Sequence, residues 1–334
     1  FNSTFVPKWQ EGSRKVETNE LTVREDNSLQ WVWANTINYA KDFGKHSINA
    51  LIGMEAKKEN GEHVQGYGRG LIIEDLDYRY LDAVTDGKDV SNNSSSYAMV
   101  SYFGKVNYAY DEKYLVSGTL RRDASSRFGN GNNSAIFPSV SAGWRISREN
   151  FMETTSNWLS DLKLRASWGI NGNDMIDNSA TYSLYYVDMN TGSYNFSGDG
   201  KTLSPGVIKT MSGNNNLKWE QTEQFNIGID AAFLDNRLGV TMDYFKKKTK
   251  DMLIQKPYIA AIGEGGYKWY NAASMDNNGV EATITWHDKI NDFNYEVAFN
   301  VSYYHNEITD LPEEVKYTWG GGDGISKTII GQSY

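Results

Sequence analysis

Residues 217 to 253 read LKWEQTEQFNIGIDAAFLDNRLGVTMDYFKKKTKDML, and the spacing of their apolar residues gives the clearest indication of the fold. Apolar residues occupy every second position on both sides of a short central turn, Leu234 to Arg237. Before the turn they are Phe225, Ile227, Ile229, Ala231 and Phe233, and after it Leu238, Val240, Met242 and Tyr244. Strand side chains point alternately to two faces, so the pattern predicts two antiparallel strands with one apolar and one polar face each.

The same alternation recurs along most of the chain and predicts about ten long strands. Further apolar faces include the sets Leu29, Trp31, Trp33, Ile37, Tyr39; Ile48, Ala50, Ile52, Met54, Ala56; Val140, Ala142, Trp144, Ile146; Leu162, Leu164, Ala166, Trp168; and Phe293, Tyr295, Val297, Phe299, Val301, Tyr303. The opposite faces carry charges, which we interpret as facing a solvated lumen: Lys105, Arg121, Lys163, Arg165 and Glu223.

The connections between these strands alternate in length. Short ones are predicted at Lys41 to Lys45, Asp111 to Lys113, Leu234 to Arg237 and Asp288 to Asp292, with a longer one at Ser147 to Ser160. Long polar loops are predicted at Glu59 to Ser95, Ala124 to Ser134, Asn171 to Lys218, Asp251 to Asn277 and from His305 onward. Short turns at one end and long loops at the other are typical of outer-membrane barrels, whose short turns are periplasmic. Aromatic residues near the short turns predict an interfacial girdle there.

Composition narrows the function classes. The 334 residues contain no Cys and carry a formal net charge of -9, which disfavours a nucleic-acid partner and excludes thiolate catalysis and Cys-based metal sites. The chain has no run of about 20 apolar residues, so a membrane helix is not expected. The alternative fold is a large soluble β-sandwich or propeller, in which the apolar faces would form a closed core. Alternating loop lengths and the lack of a fixed repeat favour the barrel.

Five blocks carry a resemblance to a known family. They are the stretch quoted above, YFGKVNYAYDEKYLVSGTLRRDASSRFG (102 to 129), FPSVSAGWRIS (137 to 147), DLKLRASWGINGN (161 to 173) and NAASMDNNGVEATITW (271 to 286). Taken in their order along the chain, they resemble the SusC-like (RagA/SusC-like), Bacteroidetes-type family of TonB-dependent outer-membrane transporters. The resemblance covers nearly the whole chain.

The resemblance implies a barrel of about 22 strands around an N-terminal plug. It also implies a SusD-like lipoprotein partner, energy supplied through TonB, import of glycan oligosaccharides or oligopeptides, and no cofactor. Because no plug, TonB-box segment or closing C-terminal strand is recognisable, we expect residues 1–334 to be a partial barrel domain whose two ends lie inside a longer chain. The expected location is the outer membrane.

Candidate chemistry in the sequence is sparse. The acidic pairs Asp86 with Asp89 and Glu313 with Glu314 are not coupled to a nucleophile, DGKDVSNN (86 to 93) lacks EF-hand spacing, and GYGRG (66 to 70) lacks the phosphate-loop Lys. The four His residues lack metal-ligand spacing, so no metal site is predicted. We therefore expect no enzyme activity. For substrate contact the candidates are three aromatics of a predicted loop: Tyr267, Trp269 and Tyr270.

The leading functional interpretation is passage of a nutrient through a barrel. The alternative is a surface glycan-binding or adhesive β-protein that does not transport, and a barrel enzyme would need a catalytic constellation that the sequence does not offer. The sequence leaves the substrate, glycan or peptide, open.

Overall fold

The computed structural model describes residues 1–188, 194–196, 198, 204, 206–257, 266–312 and 330–331. This part of the chain is almost entirely strand. The strands are β1 (Asn2–Val6), β2 (Trp9–Glu11), β3 (Arg14–Val16), β4 (Glu20–Phe43), β5 (His46–Leu71), β6 (Val84–Tyr110), β7 (Tyr114–Ser125), β8 (Ser134–Arg145), β9 (Leu159–Asn173), β10 (Leu184–Asp188), β11 (Gly206–Met211), β12 (Glu220–Phe233), β13 (Leu238–Pro257), β14 (Tyr267–Ile290) and β15 (Phe293–Asp310). Short 3-10 turns occupy Leu76–Tyr78, Leu81–Ala83, Ile146–Arg148 and Asn150–Thr155.

The chain divides into two compact units. The first comprises residues 1–33 and 56–99, and the second comprises residues 34–55 and 100–334. Among the described residues, none lies in a helix that is long and apolar enough to cross a membrane.

The larger unit is one antiparallel sheet of long strands. In the part of the chain that the structure describes, each strand pairs with its neighbour in the order β4, β5, β6, β7, β8, β9, β12, β13, β14 and β15, and the pairing of β11 with β14 is parallel. β4, β5 and β6 contribute residues to both units. These ten strands are the ones with 12 residues or more, which confirms the predicted number. Among the described residues the sheet of this unit is open, with β15 paired on one side only, to β14.

The short turns lie where the sequence predicts them. Residues 111–113 join β6 to β7, residues 234–237 join β12 to β13, and residues 291–292 join β14 to β15. Each turn contains left-handed backbone, for example at Asp111 (φ 51°) and Asn291 (φ 53°), as tight hairpins require. At the turn between β6 and β7, Asp111 Oδ2 accepts a hydrogen bond from Lys45 Nζ at 2.9 Å, and this bond lowers the pKa of the Asp111 carboxyl.

The predicted long loops are a partial error, because strands continue into them. β5 runs on to Leu71 and β6 begins at Val84, so only residues 72–83 join them, although residues 59–95 were predicted as loop. In the same way β13 extends to Pro257 and β14 starts at Tyr267. The extensions of β5 and β6 are largely polar on both faces, and those of β13 and β14 carry apolar residues on both faces. Neither kind shows the alternation that marks a strand at an apolar boundary.

The smaller unit has its own apolar core. Leu21, Leu71 and Val84 are buried against Phe5, Val23 and Leu81. Asn19 is fully buried beside this core and binds the segment at the end of β5. Its Nδ2 donates to Leu71 O (2.9 Å) and to Glu74 Oε1 (2.7 Å), and its Oδ1 accepts from Leu71 N. The bond from Asn19 lowers the pKa of Glu74.

Candidate functional site

The apolar side chains of the larger unit form continuous rows across the sheet. Residues paired across neighbouring strands lie on the same face, so the register defines each row. One row is Tyr114, Trp144, Leu164, Ile229, Met242, Ala282 and Val301. The next row is Val116, Ala142, Ala166, Ile227, Tyr244, Val280 and Tyr303. Two rows nearer the turns include Leu162, Ala231, Val240, Ile284 and Phe299, and then Phe233, Leu238, Trp286 and Val297. We call these four rows the apolar belt.

The belt faces outward and is not a core. Three of its members, Trp144, Ile229 and Met242, are 37%, 36% and 54% exposed. Trp31, Ile52 and Val140, which the sequence places on apolar strand faces, are likewise 45%, 60% and 47% exposed. A soluble sandwich or propeller would bury such side chains between two layers. An exposed apolar surface of this extent marks an interaction surface, and its arrangement in rows across long antiparallel strands is typical of a membrane-facing barrel wall.

Aromatic rings gather at the turn end of the belt, as predicted. His46 stacks on Phe43 and meets Tyr110 edge-on, each at 5.0 Å between ring centroids. At other turns Trp158 stacks on Phe233 at 6.0 Å, and Trp286 lies near Tyr295. Rings with an apolar body and a polar edge suit the boundary between hydrocarbon and water.

The opposite face of the sheet is polar and holds a charged network. Arg165 of β9 donates from Nε and Nη2 to both carboxylate oxygens of Asp230, each at 2.8 Å, and from Nη2 to Asp243 Oδ2 at 3.0 Å. Lys163 Nζ lies 3.7 Å from Asp230 Oδ2. Two cations therefore balance two anions across β9, β12 and β13. A groove of about 390 Å³ lies beside this network, lined by hydroxyl and amide side chains that include Ser117, Ser141, Ser167 and Asn226.

Gly228 permits this network. It sits between Arg165 and Asp243 in the cross-strand register. A Cβ atom at this position would overlap the carboxylate of Asp243 and crowd Arg165 Nη2. The glycine in the sequence FNIGID thus provides the space in which the guanidinium bridges two strands.

One predicted lumen residue is on the other face. Glu223 has the same parity in β12 as Phe225 and Ile227, and its Oε1 accepts a hydrogen bond from Trp168 Nε1 at 2.9 Å. Glu223 lies on the same face as the apolar belt, beyond the last row of the belt. The prediction was wrong because it considered the charge of Glu223 and not its position in the strand. Arg121, Lys163 and Arg165 lie on the polar face as predicted. Arg121 Nη2 donates there to Ser101 Oγ at 2.8 Å.

At the loop end of the strands, three of the family-like blocks converge on one buried core. Phe128 and Phe137 each contact the ring of Trp219 at 5.4 Å, and Trp219 Nε1 donates to Asn133 O at 3.1 Å. Leu217 and Trp219 are 0% and 5% exposed. We call Phe128, Phe137, Leu217 and Trp219 the signature cluster. It fastens the segment before β12 to β8 and to the connection between β7 and β8.

Polar contacts extend the signature cluster. Asp174, after β9, accepts from Ser125 Oγ at 2.7 Å and lies 3.5 Å from Arg127 Nη1. Asn271 of β14 donates to Lys218 O and Asp251 O, each at 2.8 Å, and accepts from Lys218 N. These contacts hold the loop end of the strands together. They involve the blocks SSRFG (125 to 129), FPSV (137 to 140), GINGND (169 to 174) and LKWE (217 to 220).

The three predicted contact aromatics lie in the first residues of β14 and do not form a loop. Tyr267 is 46% exposed. Trp269 is half-buried, and its Nε1 donates to Asp177 Oδ2 at 2.9 Å. By strand parity Tyr267 and Trp269 share the face of Asn271, whereas Tyr270 points to the opposite face, with Lys268 Nζ 5.5 Å from its ring. The structure thus brings two of the three together.

The sequence interpretation missed a neighbouring aromatic group. Tyr182, Tyr185 and Tyr186 are 66%, 63% and 62% exposed. β10, which carries two of them, pairs with β11, and Met211 at the end of β11 bridges to Tyr267. The run TYSLYY was the available signal, but only the pairing with β11 shows that it lies near Tyr267.

The other candidate chemistry does not assemble into a site. Asp86 lies in β6 and pairs with Arg69 at 3.0 Å, and Asp89 Oδ1 accepts from Val90 N. Glu313 and Glu314 lie outside the described residues. In the described part of the chain, no group of three or more His, Cys, Asp or Glu residues could hold a metal ion.

A sheet of long antiparallel strands with an exposed apolar belt, an aromatic turn end and a charged inner face is the wall of a transmembrane β-barrel. Comparison with known proteins agrees. Residues 3–328 match the family model described as TonB dependent receptor-like, beta-barrel, and the chain belongs to this family of outer-membrane proteins.

Relatives and solved structures support the assignment. TonB-dependent receptor P3 of Formosa agariphila is 34% identical, over 88% of this chain and 29% of its own length. TonB-dependent receptor SusC of Bacteroides thetaiotaomicron is 32% identical, over 87% of this chain and 28% of its own. The structure of the RagAB peptide transporter superposes with a TM-score of 0.82 at 29% identity, over 97% of this chain and 35% of that one. The chain therefore spans about three-tenths of the length of these curated relatives.

Proposed function

We propose that this chain is the barrel portion of a TonB-dependent outer-membrane importer for nutrients, either glycan oligosaccharides or oligopeptides. The observation that carries the proposal is the set of unbroken cross-strand rows. Apolar side chains on one face meet lipid, and the charged network of Arg165, Asp230 and Asp243 on the other face lines an aqueous interior.

The whole importer would need more than residues 1–334. We propose that they form a partial barrel domain, completed by further strands and an N-terminal plug in a barrel of about 22 strands. An open sheet in lipid would leave the backbone groups of β4 and β15 without partners. The proposed partners are TonB, acting through the N-terminal part, and a SusD-like lipoprotein at the loop end. The RagAB peptide transporter supports a peptide substrate, and the resemblance to SusC-like proteins supports a glycan.

The proposed role is non-catalytic. The matched relatives are receptors and transporters. The polar face offers neutralised ion pairs and small hydroxyl and amide groups, which suit the passage of a hydrated solute. We propose that substrate contacts lie at the loop end, at Tyr267, Trp269 and Tyr270, with Tyr267 and Trp269 on the inner face beside the exposed tyrosines of β10.

Replacing both Tyr267 and Trp269 with Ala in the complete protein is expected to raise the half-saturating substrate concentration about fivefold to a hundredfold. Each lost ring removes a stacking surface worth about 0.5–1.5 kcal/mol. The measurement is uptake of labelled oligosaccharides and of oligopeptides by cells that depend on this protein, which also identifies the substrate class. Trp158→Ala, at the turn end, is the matched control and should leave the half-saturating concentration unchanged.

The same assay separates transport from surface binding. An importer accumulates label inside the cell and loses accumulation without TonB, whereas an adhesive surface protein retains label outside with or without TonB. Binding without TonB-dependent accumulation would contradict the proposed function, while the exposed tyrosines would then favour the glycan-binding alternative.

A further inference from the structure

The sequence YFKKKTK places three lysines in a ladder on the outward face of β13. Lys246, Lys248 and Lys250 are exposed, as are Met242 and Tyr244 of the apolar belt before them, whereas the intervening residues are half-buried or buried. We call these three residues the lysine ladder. A period of two keeps all three on the lipid side of the sheet.

The ladder begins where the belt ends. Tyr244 belongs to the last row of the belt, and Lys246 lies one step further, opposite Phe225 on β12 and Asn278 on β14. From Leu238 to Lys246 the strand rises roughly 27 Å, which is roughly 20 Å along the membrane normal at the usual strand tilt. Since the apolar band of such barrels is about 25 Å tall, the backbone of Lys246 lies about 5 Å below the headgroup level if Leu238 marks the other edge of the band. The long side chain can lie along the belt with its ammonium in the polar layer.

The charges around the ladder leave the ammonium groups available. Within the described residues none of the three lysines lies in an ion pair, in contrast to Lys163 and Lys218. Lys248 has Glu223 and Asp276 as cross-strand neighbours, but both acids are half-buried and Glu223 accepts from Trp168 Nε1.

The other two lysines have no acidic neighbour across the strands. The residues opposite Lys246 are uncharged, and Lys250 pairs with Gln221. Asn278 is paired in turn with exposed His305 of β15, which adds a hydrogen-bonding group at the same level.

We propose that the lysine ladder binds the phosphate groups of lipids in the outer leaflet of the outer membrane. Two features carry the assignment. The ladder is continuous with the lipid-facing belt, so a lipid whose acyl chains cover Tyr244 and Val280 brings its headgroup to Lys246. Its unpaired cations at that level complement an anionic headgroup.

The test uses the complete outer-membrane protein that carries this chain, purified in detergent and titrated with bisphosphorylated lipid A or with the same lipid lacking both phosphates. Native mass spectrometry gives the association constants. The triple substitution Lys246→Gln, Lys248→Gln, Lys250→Gln is expected to weaken binding of the phosphorylated lipid about a hundredfold. It should leave binding of the dephosphorylated lipid unchanged.

Lys247→Gln is the matched control, because Lys247 lies on the opposite face with its Nζ 5.1 Å from the ring of Phe245, and it should bind like the unsubstituted protein. The triple Lys→Arg variant should retain binding. Should the triple Gln variant fail to fold, Lys246→Gln alone is expected to lose about fivefold.

Three results would overturn the proposal: unchanged binding in a folded Gln variant, an equal loss for both lipids, or displacement of the lipid by millimolar inorganic phosphate. The last result would identify a site for free anions.

Discussion

Replacing Ile229 with Arg is expected to lower the free energy of unfolding by about 2–4 kcal/mol in a bilayer. Ile229 lies in the third row of the apolar belt from the turns, between Leu164 and Met242, far from both interfaces. A guanidinium at that depth must lose its hydration or distort the bilayer around it. The measurement is equilibrium unfolding of the complete barrel protein in lipid vesicles by urea titration.

The matched substitution is Asn226→Arg, three residues away on the same strand. Asn226 lies on the polar face, where its Nδ2 donates to Ser167 Oγ at 3.1 Å and its Oδ1 accepts from Gln224. Arg at this site should cost far less, since it remains in water. Equal costs at the two positions would contradict the assignment of the two faces.

Replacing Trp219 with Ala is expected to cost about 3–5 kcal/mol, the usual loss for a large buried ring. Trp219 fills the centre of the signature cluster between Phe128 and Phe137, and its loss leaves a cavity and removes the indole donor to Asn133 O, which keeps its hydrogen bond from Ser125 N. The loop end should loosen first, so amide exchange in residues 206–219 should accelerate, measured by hydrogen–deuterium exchange beside denaturant unfolding.

Two variants show which part of Trp219 matters. Trp219→Phe keeps a ring but removes the indole donor, and it should cost about 1 kcal/mol. Trp9→Ala removes a Trp that is 44% exposed, and its effect should stay within about 0.5 kcal/mol. If Trp219→Ala were as mild as Trp9→Ala, the cluster would not be what holds the loop end.

Much of the fold follows from local alternation. The turn at residues 234–237 and the faces of Ile229 and Met242 could be predicted because a period of two, interrupted by polar turn residues, has few other interpretations. Glu223 shows the limit of arguing from charge: parity with Phe225 placed it on the outward face, and that signal was in the sequence. The extensions of β5, β6, β13 and β14 were predicted as loops, because outside the lipid nothing imposes an alternation of apolar and polar residues on a strand.

The loop end could be predicted least. The contact of Trp219 with Phe128 joins residues far apart in the chain, and no local pattern specifies which ring meets which. The same holds for Trp269, whose partner Asp177 comes from a distant segment. Tyr270 was grouped with Tyr267 by sequence proximity, but strand parity separates them. Local periodicity therefore predicts the wall, while the surfaces that would meet a substrate depend on tertiary pairing.

One face of the sheet meets lipid and the other meets water. Residues 1–334 contain no Cys, so a single spin label can be attached at Thr241→Cys or at Met242→Cys in a version of the complete protein that has no other Cys. Collision with lipid-soluble oxygen and with a water-soluble nickel chelate then reports each environment in vesicles. Met242 belongs to the apolar belt and Thr241 to the polar face. We expect the label at 242 to favour oxygen and the label at 241 not to. The same preference at both positions would contradict the assignment of one face to lipid and the other to water. So would a label at 242 that is shielded from both reagents, as in a closed soluble core.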